Sequence, residues 1–220
     1  MPIDEDKILD YHNSFVKQVA LRENFENNGA DGVVKNPFGW SLGTGSFKIG
    51  ESITNNIGSV SFGDKYMECE TAGTIGIPSE QAYGTWEFDW YKKIDATYFS
   101  IYFASEGKIL YPNAVGWVII LGNQDVQLYR SGTANLKFST NGNYSSSTWY
   151  RMKITRTTDG EFTVYMKGGS IGAVYTLIGD LAYGTNPITD TTNTESNTFL
   201  LNISAGDRIA NIKIQKGVII

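Results

Sequence analysis

Two residue types are almost missing from this chain. It holds one cysteine, Cys69, and one histidine, His12, in 220 residues. A single cysteine excludes an intrachain disulfide, and one residue of each kind cannot build a Cys/His zinc cage. A Ser-His-acid triad would have to recruit His12, which lies in an N-terminal segment ahead of the main domain. A basic surplus is also missing: 18 Lys and Arg stand against 23 Asp and Glu, for a net charge of -5. Duplex nucleic acid needs clustered positive charge, so it is not expected as a partner. Charged residues make up only 19% of the chain, which excludes a self-repelling disordered polymer. No apolar run approaches the ~18 residues of a membrane span, so membrane insertion is not expected. The N-terminus, MPIDEDK, is acidic and has no apolar h-region, so it does not read as a signal peptide. No internal repeat is apparent.

What is present is apolar and aromatic. Apolar residues reach 41% and aromatic residues 13%, enough for a sizeable core in one all-β domain of this length. Residues 1–20 differ from the rest. Asp4, Glu5 and Asp6 precede Ile8, Leu9, Tyr11, Phe15, Val16 and Val19 at spacings of three and four. That pattern predicts a short amphipathic helix, serving as an arm ahead of a sandwich over 21–220 or packed on it.

From Leu21 the chain breaks into short segments separated by Gly, Asn, Ser and Thr. Strands are expected at 21–26, 46–50, 58–63, 66–72, 84–92, 98–104, 115–121, 125–130, 135–139, 148–156, 161–167, 173–178, 197–203 and 208–216. Several alternate with a period of two, the mark of one buried and one wet face. Trp86, Phe88 and Trp90 oppose Glu87, Asp89 and Tyr91. Tyr150, Met152 and Ile154 oppose Arg151, Lys153 and Thr155. Phe162, Val164 and Met166 oppose Thr163 and Tyr165. Thr158, Asp159 and Gly160 join two such strands, with the glycine able to supply a positive φ for a hairpin. Gly43, Gly45 and Gly50 lie in a Gly-rich run that lacks the Gly-Lys-Ser/Thr of a phosphate loop and is expected to be a hairpin turn. Cys69 alternates with Met67 and Thr71 and reads as a small strand residue rather than a nucleophile. Residues 184–197 form a polar Thr/Asn-rich segment, long enough for a rim or contact loop.

Residues 147–167, STWYRMKITRTTDGEFTVYMK, resemble a hairpin of the concanavalin A-like lectin/glucanase superfamily, in particular its laminin-G-like modules. Trp149 opens a strand, Asp159 and Gly160 make the turn, and Gly168 follows the second strand. Asn24, Phe25 and Glu26 together with Arg208 to Ile214 resemble the paired terminal strands of such domains, and Thr85 to Trp90 resemble a central strand. The chain also resembles structural proteins encoded by tailed phages and other viruses. These resemblances imply an all-β, two-sheet antiparallel jelly-roll sandwich of concanavalin A type. They imply three functions in order: a structural virion protein (a capsid decoration or a tail or fibre component), a secreted or surface carbohydrate-binding module, and a glycoside hydrolase. Virion location, assembly with other virion proteins, and a homo-oligomer follow from the first; an extracellular location follows from the second.

Laminarinase-type hydrolases of this superfamily carry Glu, then Asp two residues on, then a second Glu two or three residues later. Glu87 and Asp89 match the first two positions, but Tyr91 and Lys92 stand where the second Glu should be. Retaining hydrolysis needs two carboxyl groups ~5 Å apart, so the chain is not expected to be an enzyme and no catalytic residue is assigned. Weak glycan binding remains, since aromatic rings and a few polar groups on a sheet face can hold sugar rings. Its candidates are Glu87, Asp89, Tyr91, Tyr102, Arg151 and Tyr165. Related domains often hold calcium beside the terminal strands. A structural Ca²⁺ would draw on Asn27, Asn28, Asp31 and Asp207 among its six to eight oxygens.

Overall fold

The structure is a computed structural model and describes residues 19–23, 25, 40–51, 65–107, 115–131 and 135–216. The strands, in chain order, are β1 (Val19–Glu23), β2 (Ser41–Glu51), β3 (Lys65–Pro78), β4 (Gly84–Tyr91), β5 (Phe99–Glu106), β6 (Val115–Gly122), β7 (Asp125–Ser131), β8 (Asn135–Thr140), β9 (Trp149–Arg156), β10 (Glu161–Gly168), β11 (Gly172–Leu177), β12 (Leu181–Gly184), β13 (Ile188–Thr189), β14 (Thr198–Ile203) and β15 (Arg208–Lys216). One 3₁₀ turn, Gly169–Ile171, is the only helical element among the described residues.

The alternating segments become strands because every second side chain can enter one shared core. Trp86, Phe88 and Trp90 on β4, Met152 and Ile154 on β9, and Phe162, Val164 and Met166 on β10 are all buried in it. The hydrogen-bonded path runs β11-β10-β9-β4-β15-β3-β14-β5-β6-β7-β8-β12, with β1 on β15, β2 on β3 and β13 on β10. Every pairing is antiparallel.

The path folds over on itself at β3. The start of this 14-residue strand meets β15 through Arg208↔Glu68 and Ile209↔Met67, and its end pairs with β14 from Gly73 to Pro78. The two layers then face each other. The ring of Trp86 on β4 meets Phe103 on β5 at 5.1 Å, and Phe88 meets Phe199 on β14 at 6.2 Å. Trp117 on β6 meets Phe162 on β10 at 4.2 Å. Each fully buried side chain of this size contributes about 1.5–3 kcal/mol by leaving water, so the shared core holds the layers together. β11, β10, β9, β4 and β15 form the first sheet. The second sheet is the end of β3 with β14, β5, β6, β7, β8 and β12.

One sequence expectation changes. The Gly-rich run around Gly43 and Gly45 is not a hairpin turn: β2 passes straight through it as a bulged strand, with register shifts between Leu42 and Phe47. Gly45 takes φ +79°, and a Cβ on Gly73 opposite would lie 2.2 Å from the Thr44 carbonyl oxygen. The glycines let two backbones approach, not reverse. The terminal strands pair within the described residues, Arg22 facing Lys213 and Glu23 facing Ile212, while Asn24 and Glu26 lie outside them. The helix expected over 1–20 and the strand expected at 58–63 lie outside the described residues, apart from Val19 and Ala20, which open β1.

The segment 184–197 is tied to the body. Its β13 pairs with β10 through Phe162↔Ile188. The buried Arg156 guanidinium donates to the carbonyls of Asn193 and Thr192, at 2.7 and 2.6 Å, and to those of Ala82 and Asp190. The Asn186 side chain both donates to and accepts from the backbone of Val164, at 2.8 and 3.0 Å. Lys137 on β8 holds the Asp190 carboxylate at 2.7 Å. Burial pushes that carboxyl up, but hydrogen bonds from Lys137 and Thr192 outweigh it and leave the group at about 2.

Candidate functional site

The sandwich has two outer faces, and the expected site residues divide between them. Strand register brings Glu87, Asp89, Tyr91, Arg151 and Tyr165 onto the outer face of the first sheet: Asp89 opposes Arg151, Glu87 opposes Lys153, and Lys153 opposes Tyr165. Tyr102 lies on β5, in the other sheet.

On the first face the side chains mostly bond one another. Asp89 is fully buried; it accepts from Arg151 through both oxygens, the Nη2–Oδ2 bond being 2.7 Å, and from Asn211 Nδ2 at 2.8 Å. Burial pushes its carboxyl up, to about 6, while Arg151 and Asn211 pull the other way. Tyr91 is buried against Trp149, with ring centres 5.5 Å apart. The Arg208 guanidinium sits 4.8 Å from the ring centres of both Tyr66 and Tyr91 while donating to Glu68 at 2.7 Å. Lys153 lies 4.7 Å from the Tyr165 ring and 4.8 Å from that of Tyr175. These cross-strand pairs and cation–π contacts stabilise a sheet surface.

The outer face of the second sheet is built differently. Register across β3, β14, β5, β6, β7 and β8 gives two adjacent rows. One runs Thr74, Asn202, Ser100, Ile120, Gln127, Ser139, and is polar apart from Ile120. Beside it run Leu200, Tyr102, Val118 and Tyr129, which cluster with Ile120 as a second small apolar patch away from the main core. Over the polar row lies a hollow of about 280 Å³, lined by Tyr98, Ser100, Ile120, Gln127, Tyr129 and Asn202, while Leu200, Tyr102 and Val118 are buried. None of the six carries a formal charge. The volume is near the lower end of the ~300–1,000 Å³ typical of small-molecule sites. A floor of amides and hydroxyls beside aliphatic and aromatic carbon can hydrogen-bond one edge of a ligand and pack against its apolar face.

Of the six residues expected to touch a glycan, only Tyr102 belongs to this second face, and there it is fully buried in the floor. The lining residues were not read from the sequence. β6 is apolar almost throughout, so no alternation marks its outer face; Ser100 and Tyr102 alternate with Phe99, Ile101 and Phe103 on β5, and Gln127 and Tyr129 with Val126 and Leu128 on β7.

Asp207, expected near a calcium ion, is fully buried. Its Oδ2 accepts from Lys92 Nζ at 2.9 Å and from the Ser204 amide at 3.2 Å, and its Oδ1 from the Lys93 amide at 2.9 Å. Asn27, Asn28 and Asp31 lie outside the described residues. Among the described residues no three His, Cys, Asp or Glu side chains group as metal ligands. Lys92, at one of the positions of the missing hydrolase glutamate, is the buried partner of Asp207. Burial pushes the Cys69 thiol up to about 11, and it donates to the carbonyl of Thr71 at 3.1 Å. A thiol held protonated in a core is a packing group. No helix among the described residues is long and apolar enough to cross a membrane.

No family model matches the chain, and comparison with curated proteins returns no match. Solved structures do match. The carbohydrate binding module CBM66 from Bacillus subtilis superposes with a TM-score of 0.54, covering 80% of this chain and 95% of that one at 16% identity. The fold is a jelly roll. The globular domain of T. cruzi calreticulin gives 0.52, over 91% of this chain and 89% of that one, at 11% identity. A carbohydrate esterase from the Shiga toxin-encoding bacteriophage phi24B gives 0.51, over 90% and 98%, at 12% identity. At such identities the likeness is one of fold, and function must be argued from the site.

Proposed function

We propose that this chain is a non-catalytic binding module that holds a neutral glycan in the hollow of the second sheet. The observation that carries the reading is the lining of that hollow: Asn202, Ser100 and Gln127 beside Ile120, Tyr98 and Tyr129. A pyranose ring has the matching surface, hydroxyls around its edge and C–H groups on its faces. A charged ligand would find no counter-charge among the lining residues. The carbohydrate binding module and the phage carbohydrate esterase with this fold support the reading.

The reading also makes the chain inert. Glu87 and Asp89 stand on the opposite face, Asp89 is held by Arg151 and Asn211, and Lys92 is buried. Incubation with β-glucans and galactans is expected to release no reducing sugar. Sustained release abolished by Glu87→Gln would overturn this part.

The function is tested by displaying the protein multivalently on a glycan array, since weak single sites gain strength from many copies. Neutral glycans should be retained, and Gln127→Ala/Asn202→Ala should lose them. Retention unchanged in that double variant, with loss in Tyr91→Ala/Tyr165→Ala, would move the site to the first face.

A second reading concerns where such a module works. A carbohydrate esterase from a phage shares the fold across 90% of this chain; we propose for this chain a structural role on a virus particle, as a homo-oligomer among other virion proteins. The alternative is a secreted or surface module. Mass spectrometry of particles purified from the native source separates the two: the chain in stoichiometric amounts supports the particle, and its absence overturns it.

A further inference from the structure

Tyr98 is the most exposed residue of the hollow, at 61%, although its backbone is tightly held. The preceding turn is pinned from several sides. Lys92 Nζ, paired with Asp207, donates to Thr97 Oγ1 at 2.5 Å. Thr97 Oγ1 donates to the Ile94 carbonyl at 3.0 Å. Ser204 Oγ donates to the carbonyl of Tyr98 itself at 3.2 Å. The Asn123 amide donates to the Asp95 carbonyl at 3.0 Å. The ring rests on Gly122 of β6: a Cβ built there would lie 2.7 Å from Tyr98 Cδ1 and 2.9 Å from Cε1. One side of the ring is thus backed by glycine backbone, and the turn behind it is fixed by a buried ion pair.

An exposed tyrosine ordinarily swings among rotamers and gains nothing by being ordered. Here the ordering is built into the fold. The ring stands beside the middle of the polar row, flanking Ser100 and Ile120, in the lining of the hollow that Asn202 and Gln127 share. Its π face carries partial negative charge, and the C–H groups of a sugar ring carry partial positive charge.

Resting on the groove reading above, we infer that Tyr98 is a preorganised stacking platform, and that the ligand class is a pyranoside presenting a continuous C–H face, with its hydroxyls turned to Asn202, Ser100 and Gln127. Gly122 is there to leave room for the ring.

The test uses the full chain with methyl β-galactoside, methyl β-glucoside and methyl α-mannoside as probes. Saturation-transfer NMR reads which sugar protons touch protein, and titration gives affinity. The ring C–H protons of one sugar face should saturate most strongly. Tyr98→Phe and Tyr98→Trp should keep affinity within about threefold, whereas Tyr98→Ala should lose at least tenfold. Gly122→Ala is the independent variant: the Tyr98 ring must shift to admit the methyl group and the Thr97 carbonyl, 3.3 Å away, must yield by a few tenths of an ångström, so the fold should survive while affinity drops several-fold. Two-dimensional amide spectra of each variant check that it is folded. Glycosides that bind the groove with affinity unchanged in folded Tyr98→Ala would overturn the platform and leave the groove reading standing. No binding of any glycoside by the wild-type chain, singly or multivalently displayed, would overturn both.

Discussion

The two outer faces of this sandwich are made of strands of similar length, yet they have opposite chemistry. On the first sheet, carboxylates meet guanidinium groups and ammonium groups meet aromatic rings, so the side chains satisfy one another: Asp89 with Arg151 and Asn211, Arg208 with Glu68, Lys153 with Tyr165 and Tyr175. On the second sheet the central rows are uncharged and hollowed, with amides and hydroxyls beside apolar carbon. The first face contributes to stability and offers little to a ligand, because a newcomer must displace bonds already made. The second has a hollow whose lining carries no charge. The proposed site therefore passes over the more conspicuous residues.

That contrast can be broken in order of expected effect. Asp89→Ala leaves Arg151 half-buried without its carboxylate, and should cost about 3 kcal/mol in chemical denaturation. The folded fraction should retain its glycan affinity; a parallel loss of affinity would mean that the faces are not independent. Next comes the anchor of the 184–197 segment. The Asp190 carboxyl is held at about 2, below the ordinary ~3.9 of an unfolded chain. Its stabilisation is present above about pH 4 and lost as pH falls through 2. Melting temperature should therefore drop more steeply between pH 4 and pH 2 in the wild type than in Asp190→Asn, and equal slopes would remove the anchor's role. Lys153→Met removes one cation from between two tyrosine rings and should cost about 0.5–1 kcal/mol. Gln127→Ala and Asn202→Ala should change stability by less than about 0.5 kcal/mol while abolishing retention on the array. These last variants reverse the pattern of Asp89→Ala, and the reversal sharpens the distinction between a structural and a binding face.

Legibility in the sequence followed the same division. β4, β9 and β10 alternate cleanly because polar and charged residues mark their outer face, so Trp86, Phe88 and Trp90 were readable as core, and Glu87, Asp89, Arg151 and Tyr165 as neighbours on one surface. β5 and β6 carry Phe99, Ile101, Phe103, Trp117, Ile119 and Leu121 inward, but Tyr102, Val118 and Ile120 outward. Apolar residues on both faces of β6 read from sequence as a strand buried twice, which hides Ile120, while Ser100 and Gln127 alternate with core residues but carry no charge that singles them out. Tyr102 was grouped with the wrong sheet because alternation says which side chains share a strand face, not which strands are neighbours. The Gly-rich bulge of β2 misled in a related way: glycine permits a turn and a close backbone approach alike, and only Thr44 against Gly73 tells them apart.

The central claim is that the neutral face binds and the charged face supports. Amide and methyl shift mapping during titration with methyl β-galactoside and methyl β-glucoside tests it directly, because every residue of both faces reports at once. The account predicts perturbations centred on Tyr98, Ser100, Ile120, Gln127, Tyr129 and Asn202, with Glu87, Asp89, Arg151 and Tyr165 unmoved. Perturbations centred on the latter four, or none anywhere at saturating sugar, would contradict it.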